Sequence, residues 1–306
     1  MISTALLLSS ACADIWPIPK QISTTGAHPV CFSRCAIIHD ASGLHAGSLL
    51  SAAVHRFGAI FVSKSQCPRQ VTLPLTVTMR LSTDSESLTA HMNESYSLRI
   101  THRGASIDAD NPFGALHALT TLAQAVWVPN VSHVCLPQIA VHDAPDFPYR
   151  GLGVSPGQRF MTADLLKQTI EAMAFAKMNV LHFHLSEFCR YAIESKRYPG
   201  LQQNLQTGMN RGFYTLADVR EIVAHAKSFG IRVIPEFDVP GHQARNMGQG
   251  IPQLSWCSSR PPVAADYQWQ LRDDKAGVTH SRTHSRTHSL THSLTHPLTR
   301  TRTHTH

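Results

Sequence analysis

Apolar positions along the chain change period near residue 143. Before it, Val71-Thr-Leu-Pro-Leu-Thr-Val-Thr-Met79 and Tyr96-Ser-Leu-Arg-Ile100 alternate apolar with polar residues, the two-residue period of strands with one face on a core. Asn111-Pro112 then supplies a cap followed by proline at the first helical position, and Ala115, Leu119, Leu122 and Val126 fall on one helical stripe. The pattern predicts an α+β accessory domain over residues 14–143. Pro129, Pro137, Pro145 and Pro148 punctuate the connection, so a domain boundary is expected near Val141 to Asp146.

After that boundary the order becomes strand, helix, strand, helix, strand, which is the signature of parallel βα units. Strands are predicted at Tyr149 to Val154, Met178 to Leu185 and Ile231 to Phe237. Thr162 caps the first intervening helix, with Asp164 in its first turn and Leu165, Leu166, Ile170 and Met173 on its buried side. Thr215-Leu-Ala-Asp218 opens the second, and Gly230 ends it. The expectation for residues 144–258 is α/β: the first part of a (β/α)8 TIM barrel, about three βα units long.

The remainder, residues 259–306, breaks both periods. From His280 the chain repeats Thr-His with Ser, Arg, Leu or Pro between, a low-complexity run that predicts a disordered tail. A histidine-rich metal tract is the functional reading of such a run. Metal sites need ligands held in fixed geometry, and this run has no fold to hold them, so no metal or other cofactor is expected.

Composition refines the picture without changing it. The 306 residues are 42% hydrophobic, as in a globular protein. A formal charge of +7 suggests nucleic acid, but Arg282, Arg286, Arg300 and Arg302 lie in the tail, with no acidic residue after Asp274. Seven of the 20 histidines, His280, His284, His288, His292, His296, His304 and His306, lie there too. Neither excess describes a folded face, so no nucleic-acid partner is expected. Residues 1–13 form a short apolar run ending in small residues, which reads either as a secretory signal or as a buried strand, and no segment is long enough to span a membrane. Beyond Cys12, six cysteines (Cys31, Cys35, Cys67, Cys135, Cys189 and Cys257) and two sequons, Asn93-Glu-Ser95 and Asn130-Val-Ser132, fit a secreted or lysosomal/vacuolar glycoprotein with disulfides. Free core cysteines fit the same count, and sequence does not settle pairing.

Active sites of parallel βα folds collect at strand ends, and all three predicted strands carry polar groups there. The first has Tyr149-Arg150-Gly151, the second His182-Phe-His184-Leu-Ser-Glu187, and the third Pro235-Glu236-Phe-Asp238-Val-Pro-Gly241-His242. With Phe147-Pro-Tyr-Arg150-Gly151, Lys177-Met-Asn179-Val-Leu-His182-Phe-His184-Leu185 and Gly230-Ile-Arg232-Val-Ile-Pro-Glu236-Phe-Asp238-Val-Pro-Gly241-His242, the chain resembles family 20 β-N-acetylhexosaminidases over about Ile15 to Leu254. The helix from Asn111 resembles the end of that family's accessory domain.

The resemblance implies a retaining, substrate-assisted glycoside hydrolase. The sugar's 2-acetamido oxygen attacks its own anomeric carbon, an Asp orients the acetamide, and a neighbouring Glu protonates the leaving oxygen. It further implies that Arg150 holds sugar hydroxyls, that His242 works near the leaving group with Glu187 as its acidic partner, and that Glu236 and Asp238 shape the pocket floor. The partners implied are glycans ending in N-acetylglucosamine or N-acetylgalactosamine, and a homodimer for the full-length enzyme. Two departures stand out. Glu187-Phe188 replaces the family's Asp-Asp pair, and the catalytic Asp-Glu pair in its Gly-Gly-Asp-Glu context is missing, Asp273-Asp274 being no substitute. No catalytic residue is therefore assigned, and the expectation is a truncated, inactive product of a hexosaminidase gene. The rivals are a noncatalytic sugar-binding protein and another (β/α)8 glycosidase.

Overall fold

The computed structural model describes residues 15–40, 47–59, 74–130, 132–187, 190–203, 212–238, 242 and 289–291. The chain divides into two compact units. One comprises Met1–Arg150, Glu171–Asn179 and Lys227–Ile231, the other Gly151–Ile170, Val180–Ala226 and Arg232–His306. The main division falls at Arg150, just past the proline-punctuated stretch. The expected signal segment and Cys12, Cys67, Cys189 and Cys257 lie outside the described residues.

In the first unit, strands β1 (Gln21–Thr24), β2 (Val30–Asp40), β3 (Pro74–Leu81), β4 (Tyr96–Thr101), β5 (Gly104–Ala109), β6 (Trp127–Asn130), β7 (His133–Leu136) and β8 (Ile139–Asp143) form one sheet. Its order is β1-β8-β4-β5-β3-β2-β7-β6. The pairs β2–β3 and β3–β5 are parallel and the others antiparallel. Alternation works as expected: Leu75, Val77 and Met79 of β3 and Leu98 and Ile100 of β4 are buried, while their neighbours are partly exposed. Helix α1 (Ser48–Gly58) and helix α2 (Pro112–Ala125) belong to the same unit. The Asn111 side chain caps α2, accepting hydrogen bonds from the N–H groups of Phe113 at 3.0 Å and Gly114 at 3.3 Å. Ala115, Ala118, Leu119 and Leu122 of α2 join the sheet residues in one apolar core. Cys31 and Cys135 face one another across β2 and β7 and are joined by a disulfide.

The second unit holds the βα portion: β9 (Gly151–Val154), β10 (Val180–His184) and β13 (Arg232–Asp238), parallel and in the order β13-β10-β9. Helix α3 (Ala163–Phe175) connects the first two, and helix α5 (Leu216–Ser228) precedes the third. Between them lie the two-residue strands β11 (Ser186–Glu187) and β12 (Arg190–Tyr191) and the one-turn helix α4 (Gly200–Gln203). The predicted caps are present. Thr162 Oγ1 accepts from Leu165 N–H at 3.2 Å, and Thr215 and Asp218 form a reciprocal capping box with bonds of 3.1 and 2.8 Å. Gly230 closes α5 with φ +72, in the left-handed region, and a Cβ there would meet Phe113 and Leu116 at 3.2 and 3.3 Å.

The expectation of a wholly unstructured tail is corrected over three residues. Strand β14 (Ser289–Thr291) pairs antiparallel with β13, Glu236 opposite Thr291 and Asp238 opposite Ser289. The cause is generic: an open strand edge offers backbone N–H and C=O groups that any extended segment can satisfy, whatever its side chains. The rest of the Thr-His run lies outside the described residues.

Candidate functional site

Parallel strands deliver their C-terminal ends to one edge, and the two-residue strand period decides which side chains meet there. His182 and His184 share a face of β10, and Glu236 and Asp238 share a face of β13; in the parallel register His184 stands opposite Glu236. The consequence is a cluster. His182 Nε2 is paired with Glu236. His184 Nε2 lies 3.2 Å from Asp238 Oδ2, and its Nδ1 lies 3.1 Å from Ser155 Oγ, just past the end of β9. Ser186 Oγ accepts from the backbone N–H of Asp238 at 2.9 Å, tying the start of β11 to the end of β13.

Glu187 is the second centre. It is buried, and its Oε1 accepts from Gln158 Nε2 at 3.1 Å and lies 3.0 Å from His242 Nδ1. The turn carrying Gln158 can approach because residue 157 is glycine: a Cβ there would fall 2.6 Å from the Glu187 Cβ. His242 holds φ +56, a left-handed conformation uncommon outside glycine, with its side chain about half exposed at 45%. The His184 and His242 rings meet edge to face at 5.7 Å between centroids.

The electrostatics follow from crowding. Burial pushes the Asp238 carboxyl above its usual range and the adjacent Glu236 adds to the rise, while His184 pulls the other way. When Asp238 is ionised it only accepts, and the contact then places the His184 proton on Nε2 and leaves a lone pair on Nδ1 facing the Ser155 hydroxyl. Ser155, His184 and Asp238 thus stand in series as in an acyl-transfer triad. The residue after Ser155 is Pro156, so the N–H that follows the nucleophile in a strand-to-helix elbow is missing here.

Of the five residues expected at a sugar site, Glu187, Glu236, Asp238 and His242 come together. Arg150 does not join them. Its Nη2 and Nη1 donate to the two oxygens of Glu94 at 2.6 and 3.0 Å, Nη1 also to the Phe147 carbonyl, and Nε to the Lys177 carbonyl at 2.8 Å. The physical reason is position: Arg150 precedes β9, at the N-terminal end of a parallel strand, where polar residues serve stability. Glu94 also accepts from Asn179 Nδ2 at 3.1 Å and from His117 at 2.9 Å. Burial alone would raise its pKa, but His117 and Arg150 outweigh that and bring it down to about 2. Burial in turn lowers the His117 pKa, which leaves Arg150 as the charge that neutralises Glu94.

Ser155, Gln158, His182, His184 and Ser186 were assigned no role by their sequence motifs. The signal for the two histidines was present, since His-x-His in a strand puts both rings on one face. For Gln158 and Ser155 there was none, because their partners lie 29 residues away.

A family model described as glycosyl hydrolase family 20, catalytic domain, matches residues 147–305, and one described as beta-acetyl hexosaminidase like matches residues 15–125. Beta-hexosaminidase subunit A1 of Dictyostelium discoideum is 30% identical over 258 residues, covering 82% of this chain and 46% of that protein. Beta-hexosaminidase 1 of Arabidopsis thaliana is 32% identical over 273 residues, covering 81% of this chain and 49% of that one. The Flavobacterium johnsoniae chitobiase structure superposes with a TM-score of 0.66 at 25% identity, covering 79% of this chain and 37% of that one. The chain thus spans about half the length of the curated relatives it matches.

Proposed function

Because the chain belongs to glycosyl hydrolase family 20, we propose that its strand-end cluster is one wall of a β-N-acetylhexosaminidase sugar site, acting on glycans that end in N-acetylglucosamine or N-acetylgalactosamine. The observation that carries the reading is the contact of His242 Nδ1 with Glu187 Oε1 at 3.0 Å, beside the Glu236–Asp238 pair. A buried carboxylate that orients a half-exposed imidazole gives a proton-handling group on the open side of the site. Glu187 fills this place although its neighbour Phe188 is no acid, since the longer side chain and Gln158 together bring the carboxylate to the ring.

On this reading the 306 residues supply the accessory domain, the first three βα units of the TIM barrel and the sugar-holding groups. The Asp-Glu pair that would orient the acetamide and protonate the leaving oxygen does not occur within these residues, so the part they play is to hold sugar. The disulfide Cys31–Cys135 and the exposed sequon residues Asn93 and Asn130 support an oxidising, glycosylating compartment, secretory or lysosomal. Among the described residues no helix is long and apolar enough to cross a membrane.

The test combines binding and turnover on the purified chain. N-acetylglucosamine binding by NMR, weakened in His242→Ala and Asp238→Asn, is expected together with no hydrolysis of a chromogenic N-acetylglucosaminide. Hydrolysis above background overturns the inactive reading, and no sugar binding by a folded sample overturns the sugar site.

A further inference from the structure

The strand-end cluster holds more ligating chemistry than sugar binding needs. Three ligand atoms, one each from His184, Glu187 and His242, lie within 4.8 Å of one another. Two histidines and a carboxylate form a donor set for zinc-type divalent cations, with protein ligands on one side and a position left open on the other. We infer that this triad binds a divalent cation of the zinc class, reversibly, at the mouth of the site.

Three observations carry it. First, the tautomer is right: Asp238 at 3.2 Å from Nε2 leaves the His184 lone pair on Nδ1, the nitrogen 3.9 Å from Glu187 Oε1. A carboxylate behind a ligating imidazole is the usual outer support of a zinc ligand, since it fixes the ring and raises its basicity. Second, the local charge suits a cation. Glu187 and Asp238 both lie against the His184 ring, at 3.9 and 3.2 Å, and a Glu236 oxygen lies within 4.8 Å of the Asp238 and His184 ligand atoms. Third, the site has an entrance, because His242 is about half exposed while Glu187 is buried, so the open position faces solvent.

A second triad, His184 with Glu236 and Asp238, overlaps the first through the same ring. It is the weaker candidate, because it uses the Asp238 oxygen that orients His184, and Glu236 is already paired with His182. Binding at the first triad requires the Ser155 hydroxyl to leave Nδ1 and the His242 proton to sit on Nε2, which a half-exposed ring can accommodate. The cation would occupy the contact between Glu187 and His242 on which the sugar-site reading rests, so cation and sugar compete.

To confine the readout to the strand-end triad, the experiment is done on the full 306-residue chain with its seven tail histidines replaced by glutamine. Calorimetric titration with Zn2+ at neutral pH is expected to show one saturable equivalent. His242→Ala should weaken it by roughly tenfold or more, and Glu187→Gln likewise, while Asp238→Asn, which removes only the outer support, should weaken it about tenfold. No saturable zinc binding, or unchanged affinity in His242→Ala shown by circular dichroism to be folded, overturns the inference. N-acetylglucosamine is titrated into the same samples without zinc. Sugar binding without zinc binding overturns the cation site alone, and zinc binding without sugar binding supports it while counting against the sugar reading.

Discussion

Glu94 and Arg150 meet in a two-pronged ion pair, Nη2 to Oε1 at 2.6 Å and Nη1 to Oε2 at 3.0 Å, with the Glu94 side chain 2% exposed and that of Arg150 18%. Such a pair is costly to break from one side, because the partner left behind is a buried charge without compensation. Glu94→Ala and Arg150→Ala should each lower unfolding stability by about 3–5 kcal/mol in denaturant titrations. Arg150→Lys should rescue little, since an ammonium cannot make the parallel bonds. The double replacement by apolar residues should cost less than the sum of the single ones. Additive single effects would show that the two side chains do not act as a pair.

The same carboxylate sets an acid limit. With a folded pKa of about 2 against an ordinary value of 4.5, Glu94 contributes stability that is fully present above pH 4.5 and lost as pH falls toward 2. The shift corresponds to roughly 3 kcal/mol. Denaturant midpoints measured from pH 6 to pH 2 should therefore fall most steeply in the lower part of that range. Glu94→Gln should start lower and decline less, and a parallel decline in the two proteins would remove Glu94 from the account.

The Cys31–Cys135 disulfide closes a loop with a sequence separation of 104. Cross-linking restricts the unfolded chain, and for a loop of about 100 residues the chain-entropy estimate is about 4.7 kcal/mol. Cys31 is exposed, so a mild reductant should reach the bond without prior unfolding. Reduction, or Cys31→Ser with Cys135→Ser, should lower the thermal midpoint of the first unit while leaving the far-ultraviolet spectrum at room temperature folded. An unchanged midpoint would mean that the bond constrains nothing.

Local rules made part of this fold legible. The Asn111-Pro112 cap, the Thr215–Asp218 box and Gly230 are chemistry within a few residues, and each stands where the pattern places it. The eight-stranded sheet was less visible. Its pairings join β1 to β8 and β2 to β7 across more than a hundred residues, and short runs such as His133–Leu136 carry no turn signal that names a partner. The site divides in the same way. Glu236, Asp238 and His242 follow from the end of one strand, whereas the commitment of Arg150 depended on Glu94, 56 residues away and on the other side of the proline-punctuated boundary. A motif can show that an arginine matters, but not to which charge it answers.

That distinction can be measured on two arginines that bracket one strand. Arg150 precedes β9 and is engaged by Glu94, while Arg159 follows β9, exposed and next to the Gln158 that holds Glu187. If strand direction separates stability from binding, their truncations should have opposite signatures. Arg150→Ala should lose stability, and whatever folded fraction remains should bind N-acetylglucosamine with unchanged affinity. Arg159→Ala should leave the unfolding stability within about 0.5 kcal/mol, as an exposed side chain predicts. It should also weaken sugar binding by the loss of a guanidinium that can donate two directed hydrogen bonds to hydroxyls. Affinity lost in Arg150→Ala at full stability would return the sugar to Arg150, and an Arg159→Ala chain that binds like the parent would leave the end of β9 with Gln158 and Ser155 alone.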